Sequence, residues 1–177
     1  MIAARKFLKE SKAQYVSTKK SLIWLKKKLT GNEYADYDTW LRIMRVSRQE
    51  LFEQRKTKFS YAPKFSVVVP LYHTPAKFLK DLVRSMMYQS YANWELCLVN
   101  ASPEDKHLTS LLENWAMRDK RIRVIRLEKK FWELHKNTNA GIASSTGEFI
   151  AFLDHDDFLE PDALFCYVDA LNKRQDN

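Results

Sequence analysis

The residues best suited to chemistry are Asp154-His155-Asp156-Asp157, which follow directly on the apolar run Phe149–Leu153. Three carboxylates within four positions repel one another. In an extended segment, positions i and i+2 point the same way, so Asp154 and Asp156 are expected to converge. Carboxylates held that close either shift their protonation or recruit a cation. A hard divalent ion, Mg2+ or Mn2+, bound by one or two carboxylates with substrate phosphates completing its shell, resolves the repulsion. His155 is expected to point to the opposite face and to play a supporting role. The competing reading is a solvated acidic turn that caps the next helix. Two other short segments also follow apolar runs. Pro70-Leu71-Tyr72 offers an aromatic ring for stacking on a planar base, and Asn100-Ala101-Ser102 offers a side-chain amide for a base edge, although spacing alone favours a partly buried rim role for Tyr72 and a turn role beside a helix cap for Asn100.

Other chemistries are poorly supported. There is no glycine-rich phosphate loop. His73, His107 and His135 lack metal-ligand spacing, and no nucleophilic triad stands out. Cys97 and Cys166 lie far apart in apolar surroundings and read as two buried thiols. Any bound diphosphate would therefore depend on a metal for neutralisation.

These segments must be positioned by a scaffold, and the sequence announces one. β-branched or apolar runs at 65–70, 94–99, 122–127 and 148–153 alternate with helical segments at about 74–88, 102–119, 136–145 and 160–173. The helix starts are marked by Thr74-Pro75, Ser102-Pro103 and Glu160-Pro161-Asp162, and Gly147 is read as closing the third helix. Strict alternation with short connections predicts an α/β fold, a doubly wound and mostly parallel sheet. In such sheets ligands bind beyond the carboxyl ends of the strands, where the three segments fall.

The 177 residues are 45% hydrophobic and 29% charged, with 3 Gly and 5 Pro, which excludes a disordered or collagen-like chain. No apolar run approaches the roughly 20 residues that span a bilayer. The net charge of +8 resides in residues 1–30, where nine Lys/Arg face Glu10 alone. The rest is balanced, which argues against nucleic acid as a partner. Leu8, Tyr15, Leu22, Leu25 and Leu29 predict an amphipathic helix in that arm. Tyr37, Trp40, Leu41 and Met44 predict a second helix over 36–45, Ser47-Arg48-Gln49-Glu50 opens a third to about 57, and 58–64 reads as a linker. The expected domains are thus a basic helical N-terminal extension, 1–60, and an α/β domain, 61–177. The arm could lie on an anionic membrane surface at about 1 kcal/mol per basic residue.

Taken in order, Val67-Val68-Val69-Pro70-Leu71-Tyr72, Asn100-Ala101-Ser102, Asn137-Thr138-Asn139-Ala140-Gly141-Ile142, Thr146-Gly147-Glu148-Phe149-Ile150 and Phe152-Leu153-Asp154-His155-Asp156-Asp157 resemble the nucleotide-binding half of family 2 glycosyltransferases with the Rossmann-like GT-A fold. The resemblance covers about 64–173. The N-terminal pattern, with Trp40 and Gln54-Arg55, is similar to the leader of some bacterial enzymes that build cell-surface polysaccharide.

The resemblance implies a bacterial, metal-assisted, inverting transfer of sugar from a UDP- or dTDP-sugar to a glycan or lipid-linked acceptor in cell-wall or polysaccharide biosynthesis. The two unpaired thiols and the basic arm lead to the expectation of a cytoplasmic protein, peripheral on the inner face of the membrane. Pro70 and Tyr72 would line the base pocket. Asn100 stands where the family usually has a base-contacting Asp. Asn139 would order the donor site. Asp154 and Asp156 would form the DxD pair on ribose and metal, with Asp157 a further ligand and Mn2+ or Mg2+ the cofactor. No catalytic residue is identified. The domain is expected to end before the acceptor half, which in the family supplies the base, so the isolated chain would bind donor without transferring sugar. The alternatives are a nucleotidyltransferase-like enzyme and a non-catalytic membrane or interaction module.

Overall fold

The structure is a computed structural model, and it describes residue 41 and residues 45–127 and 134–175. The helices expected over 2–29 and 36–45 lie almost wholly outside the described residues. The chain divides into two compact units, Met1–Ser47 and Arg48–Asn177. The second unit runs α1 (Arg48–Lys56), β1 (Phe65–Leu71), α2 (Ala76–Met87), β2 (Trp94–Asn100), α3 (Lys106–Arg118), β3 (Ile122–Arg126), α4 (Leu134–Ser144), β4 (Phe149–Phe152) and α5 (Ala163–Gln175).

The strands form one sheet in the order β3-β2-β1-β4. Every pairing is parallel, with Val68 opposite Cys97 of β2 and Phe152 of β4. The α/β alternation therefore folds as expected. The strands step outward from β1 to β3, and the chain then returns to place β4 on the other side of β1. Crossovers between parallel strands are right-handed. Reversing direction across the sheet therefore moves the crossover helix to the opposite face.

The core shows this division. Val67, Val69, Leu71, Leu96 and Leu98 bury one face against Leu79, Leu82 and Met86 of α2, Leu108 and Leu112 of α3, and Leu164 and Val168 of α5. Val68, Cys97 and Val99 bury the other, with Ala140 of α4 packed on them. Gly141 is required there, because a Cβ would lie 2.4 Å from Val68 Cγ1 and 3.0 Å from Val99 Cγ2. Central parallel strands covered on both faces read as continuous apolar runs, which is why β1 and β2 were legible.

Several local expectations need correction. Thr74 is not the α2 cap. It is buried, Pro75 precedes the first turn in extended geometry, and no side chain caps it. Asp105, not Ser102, caps α3, accepting from Leu108 N at 2.9 Å. Gly147 does not close α4, which ends at Ser144. Instead it lets β4 approach β1, where a Cβ would sit 2.7 Å from Lys64 O and from Ser66 N. The 58–64 segment is tied down rather than a free linker. Tyr91 Oη donates to Pro63 O at 2.6 Å, and Asn172 brackets Tyr61, accepting from its N–H at 3.0 Å and donating to its carbonyl at 2.7 Å. Cys97 is buried as expected, but Cys166 is exposed.

Candidate functional site

The order β3-β2-β1-β4 puts the topological switch point between β1 and β4. In open α/β sheets the ligand crevice opens there, beyond the carboxyl ends of the strands. Two of the three segments flank it: Pro70–Tyr72 leaves β1, and Asp154–Asp157 follows β4. The third, Asn100–Ser102, leaves β2 on the adjoining side.

Pro70 is explained by this geometry. A proline is expected only at the margins of a sheet, because it cannot donate to the ladder. Val68 O accepts from Leu153 N at 3.2 Å, so the Val68 peptide groups face β4. Two residues on, Pro70 presents the same side, and β4 has ended: its pairing with β1 stops at Val68–Phe152. The missing N–H thus faces the crevice rather than a strand, and Pro70 pairs with Val99 of β2 on the other side.

Tyr72 follows with a partly exposed ring, 40% accessible, set edge-on to His73 at 4.5 Å between centroids. His73 has φ of 46°, in the left-handed region, strained for a residue with a Cβ. Contacts from the β2 loop hold it there. Its N–H donates to Ser102 Oγ at 3.0 Å, and its ring lies 3.5 Å from Glu104 and 4.0 Å from Asp105. Ala101 N donates to Leu71 O at 2.9 Å, which ties the two loops together at the backbone.

Asn100 is 1% exposed. Its Oδ1 accepts from Ser102 N at 3.0 Å, and its Nδ2 donates to Thr109 Oγ1 at 3.1 Å. Both ends of the amide shape the turn that positions Ser102, and through it His73. Asn139 is exposed on α4, one residue before Ala140, whereas the neighbouring Asn137 is buried.

Asp154-His155-Asp156-Asp157 does not continue the strand. β4 ends at Phe152, and Asp157 N donates to Asp154 O at 3.2 Å, closing a turn. Convergence of Asp154 and Asp156 by strand alternation therefore does not apply, because the backbone bends before it can act. All three carboxylates are exposed and His155 is half-buried. The following loop is anchored on the end of α2 and the segment just after it. Leu159 N donates to Ser85 Oγ at 3.2 Å, Gln89 Nε2 donates to Glu160 O at 2.7 Å, and Ser90 N donates to Pro161 O at 2.8 Å. An exposed acidic turn is thus set between a strand and a fixed loop.

Among the described residues no group of three His, Cys, Asp or Glu side chains could by itself hold a metal ion. The oxygen-only donors of the turn fit a cation that arrives shared with a diphosphate, and not a resident three-ligand metal.

Sequence reasoning missed Glu95, the strongest polar feature of the unit, at the amino end of β2. It is 2% exposed. Its Oε1 accepts from Ser66 Oγ at 2.6 Å and Thr146 N at 2.7 Å, and its Oε2 accepts from Lys64 Nζ at 2.8 Å, Thr146 Oγ1 at 2.9 Å and Arg123 Nη1 at 3.2 Å. Burial opposes its charge, but the hydrogen bonds from Lys64, Ser66 and Thr146 outweigh it and hold the carboxyl well below the ordinary carboxylate range. The available signal was a lone acid inside an apolar strand.

The sequence matches Glycosyl transferase family 2 over residues 66–177. The chain belongs to that family. The match begins at β1 and spans the whole sheet, and it favours glycosyl transfer over the nucleotidyl-transfer alternative. Similar proteins include the uncharacterized protein y4gI of Sinorhizobium fredii, 34% identical over 151 residues, covering 84% of this chain and 16% of the relative. The O-antigen biosynthesis protein RfbC of Myxococcus xanthus is 32% identical over 130 residues, covering 73% of this chain and 10% of the relative. The chain thus spans less than a fifth of the length of these two curated relatives. Among solved structures, S. aureus TarS 1-349 in complex with UDP-GlcNAc superposes with a TM-score of 0.57 at 27% identity, covering 63% of this chain and 32% of that one. The GT-A-like α/β fold of this family is therefore present. No described helix is long and apolar enough to cross a membrane.

Proposed function

We propose that the crevice between β1 and β4 binds the nucleoside diphosphate of a sugar donor, and that the protein transfers that sugar to a growing surface polysaccharide or lipid-linked acceptor. The observation that carries this reading is the switch point itself, which is flanked by Pro70–Tyr72 on one strand and the Asp154–Asp157 turn on the other. The similarity to a UDP-GlcNAc complex and to an O-antigen biosynthesis protein supports it.

Pro70 and Tyr72 line the base, with the Tyr72 ring available for stacking. Asp154 would receive the ribose, and one or two of the Asp154, Asp156 and Asp157 carboxylates would share a Mn2+ or Mg2+ ion with the diphosphate. That ion supplies charge neutralisation to the diphosphate leaving group. The carboxylates, which repel a bare diphosphate, would position it only through that ion. Asn100 acts through the turn it holds, fixing Ser102 and His73 behind Tyr72. Asn139, on the helix that covers the Val68 face, orders the donor side. Transfer proceeds with inversion, with the base from a part of the enzyme that follows this unit in the family. The basic arm, residues 1–30, rests on anionic lipid at the cytoplasmic face.

Calorimetric titration of UDP, dTDP and GDP onto the chain, with and without Mn2+, tests the donor reading. UDP or dTDP should bind in a Mn2+-dependent manner, and Asp154→Ala should weaken that binding about 100-fold while the fold persists. Absence of binding by all three nucleotides in the presence of Mn2+ overturns it.

A further inference from the structure

His73 is the one residue other than glycine with a positive φ among the described residues, at 46°. A side chain makes that left-handed angle costly, although histidine visits it more often than most residues do. Glycine would adopt it freely, so the imidazole supplies something that glycine could not. A backbone outlier of this kind persists only where its surroundings hold it, and such outliers cluster at ligand clamps. Its product here is a pair of rings. On an extended continuation of β1, residues 72 and 73 would project to opposite faces. The turn at His73 instead brings the two rings to 4.5 Å between centroids, inclined at 72°, edge to face.

The β2 loop forms a bracket behind this pair. Asn100 Oδ1 accepts from Ser102 N at 3.0 Å, and Asp105 N donates to Ser102 O at 3.0 Å. Asp105 Oδ1 caps α3 through Leu108 N at 2.9 Å, while its Oδ2 lies 4.0 Å from His73 Nδ1. The β1 loop meets the bracket at three points. Leu71 O accepts from Ala101 N at 2.9 Å, His73 N donates to Ser102 Oγ at 3.0 Å, and the imidazole sets Nε2 3.5 Å from Glu104 Oε1 beside the Asp105 contact. Tyr72 lies in sequence between the first point and the other two. The His73 and Glu104 side chains are each 46% exposed, and ion pairs in such a setting contribute little to stability. The clasp is therefore better suited to fixing an angle than to holding the fold.

We propose that His73 is a positioning residue for the nucleotide base, a clasp between the β1 and β2 loops that holds the Tyr72 ring ready for stacking. This role rests on the crevice binding a nucleoside diphosphate. A loose ring must be immobilised when the base arrives, whereas a ring already held in place loses less freedom on binding. For one side chain that preorganisation is worth about twofold to tenfold in affinity. The benefit reaches the base through Tyr72, so removing the His73 ring matters only while Tyr72 is present.

The test is a double-mutant cycle on UDP binding to the 177-residue chain in the presence of Mn2+, read by calorimetry. His73→Gly keeps the left-handed angle accessible while removing the ring and both carboxylate contacts. It should weaken UDP binding about fivefold in the wild-type background and less than about twofold in the Tyr72→Ala background. Without nucleotide, 13C relaxation of the Tyr72 ring, assigned through Tyr72→Phe, should show a more mobile ring in His73→Gly than in wild type. A merely structural role would cost affinity equally in both backgrounds. Equal losses, UDP binding unchanged by His73→Gly, or a Tyr72 ring no more mobile in that variant overturns the proposal while the donor reading stands. Wild type that binds no UDP overturns the donor reading and this role together.

Discussion

The two ends of this sheet are built from opposite materials. At the amino end, Glu95 is sealed beneath Lys64, Ser66, Arg123 and Thr146, and Gly147 brings the backbones of β1 and β4 close enough to complete the seal. At the carboxyl end, three carboxylates stand in solvent, a tyrosine ring is half exposed, and His73 is held at a backbone angle that most residues avoid. The contrast teaches where the fold keeps its stability and where it keeps its chemistry. A buried charge with every lone pair satisfied locks strands in register. Exposed carboxylates and a strained loop leave groups that a ligand can still engage.

That contrast can be broken at the amino end first. Glu95→Gln removes the charge while Lys64 and Arg123 stay in place, and should destabilise the unit by about 3 kcal/mol in chemical denaturation. Nucleotide binding should persist in the folded fraction. The same group sets a pH dependence. Its folded pKa lies below the ordinary value of 4.5, so its contribution is complete above that value and is lost progressively as pH falls below it. Wild type should therefore lose stability on acidification through that range more steeply than Glu95→Gln.

The two packed glycines sharpen the comparison. Gly147→Ala meets backbone atoms that cannot move aside and should lose about 2–3 kcal/mol. Gly141→Ala meets valine methyl groups and gains helix propensity, so its loss should be smaller, about 1–2 kcal/mol. Thermal melts of both variants check the order. At the carboxyl end the pattern reverses. Tyr72→Ala should change stability by less than about 0.5 kcal/mol but weaken nucleotide binding about tenfold, the stacking share of one base.

Much of this arrangement was legible before the fold was seen. Val67–Val69 and Leu96–Val99 could only be buried parallel strands, and the polar segments after them marked the ligand edge. Strand order was not legible. Nothing local in Phe149–Phe152 says that it pairs with β1 rather than β3, and that choice alone creates the crevice. The caps failed for a related reason. Ser102 and Thr74 have capping chemistry, but Ser102 is drawn away to the N–H of His73, a contact 29 residues distant in sequence. Glu95 stood out only as a lone acid in an apolar strand, and its partners were not legible because they come from β1, β3 and the approach to β4. The acidic turn was located correctly, but its internal geometry was not, since one hydrogen bond from Asp157 to Asp154 replaces strand alternation.

The central claim is that the Asp154–Asp157 turn and the end of β1 grip one nucleoside diphosphate through a shared cation. A crystal of the chain soaked with Mn2+ and UDP tests it most directly. The account predicts anomalous metal density bridging the pyrophosphate and a carboxylate of Asp154 or Asp156, with uracil against Tyr72. Nucleotide bound elsewhere, or carboxylates surrounded by water with no metal beside them, would contradict it.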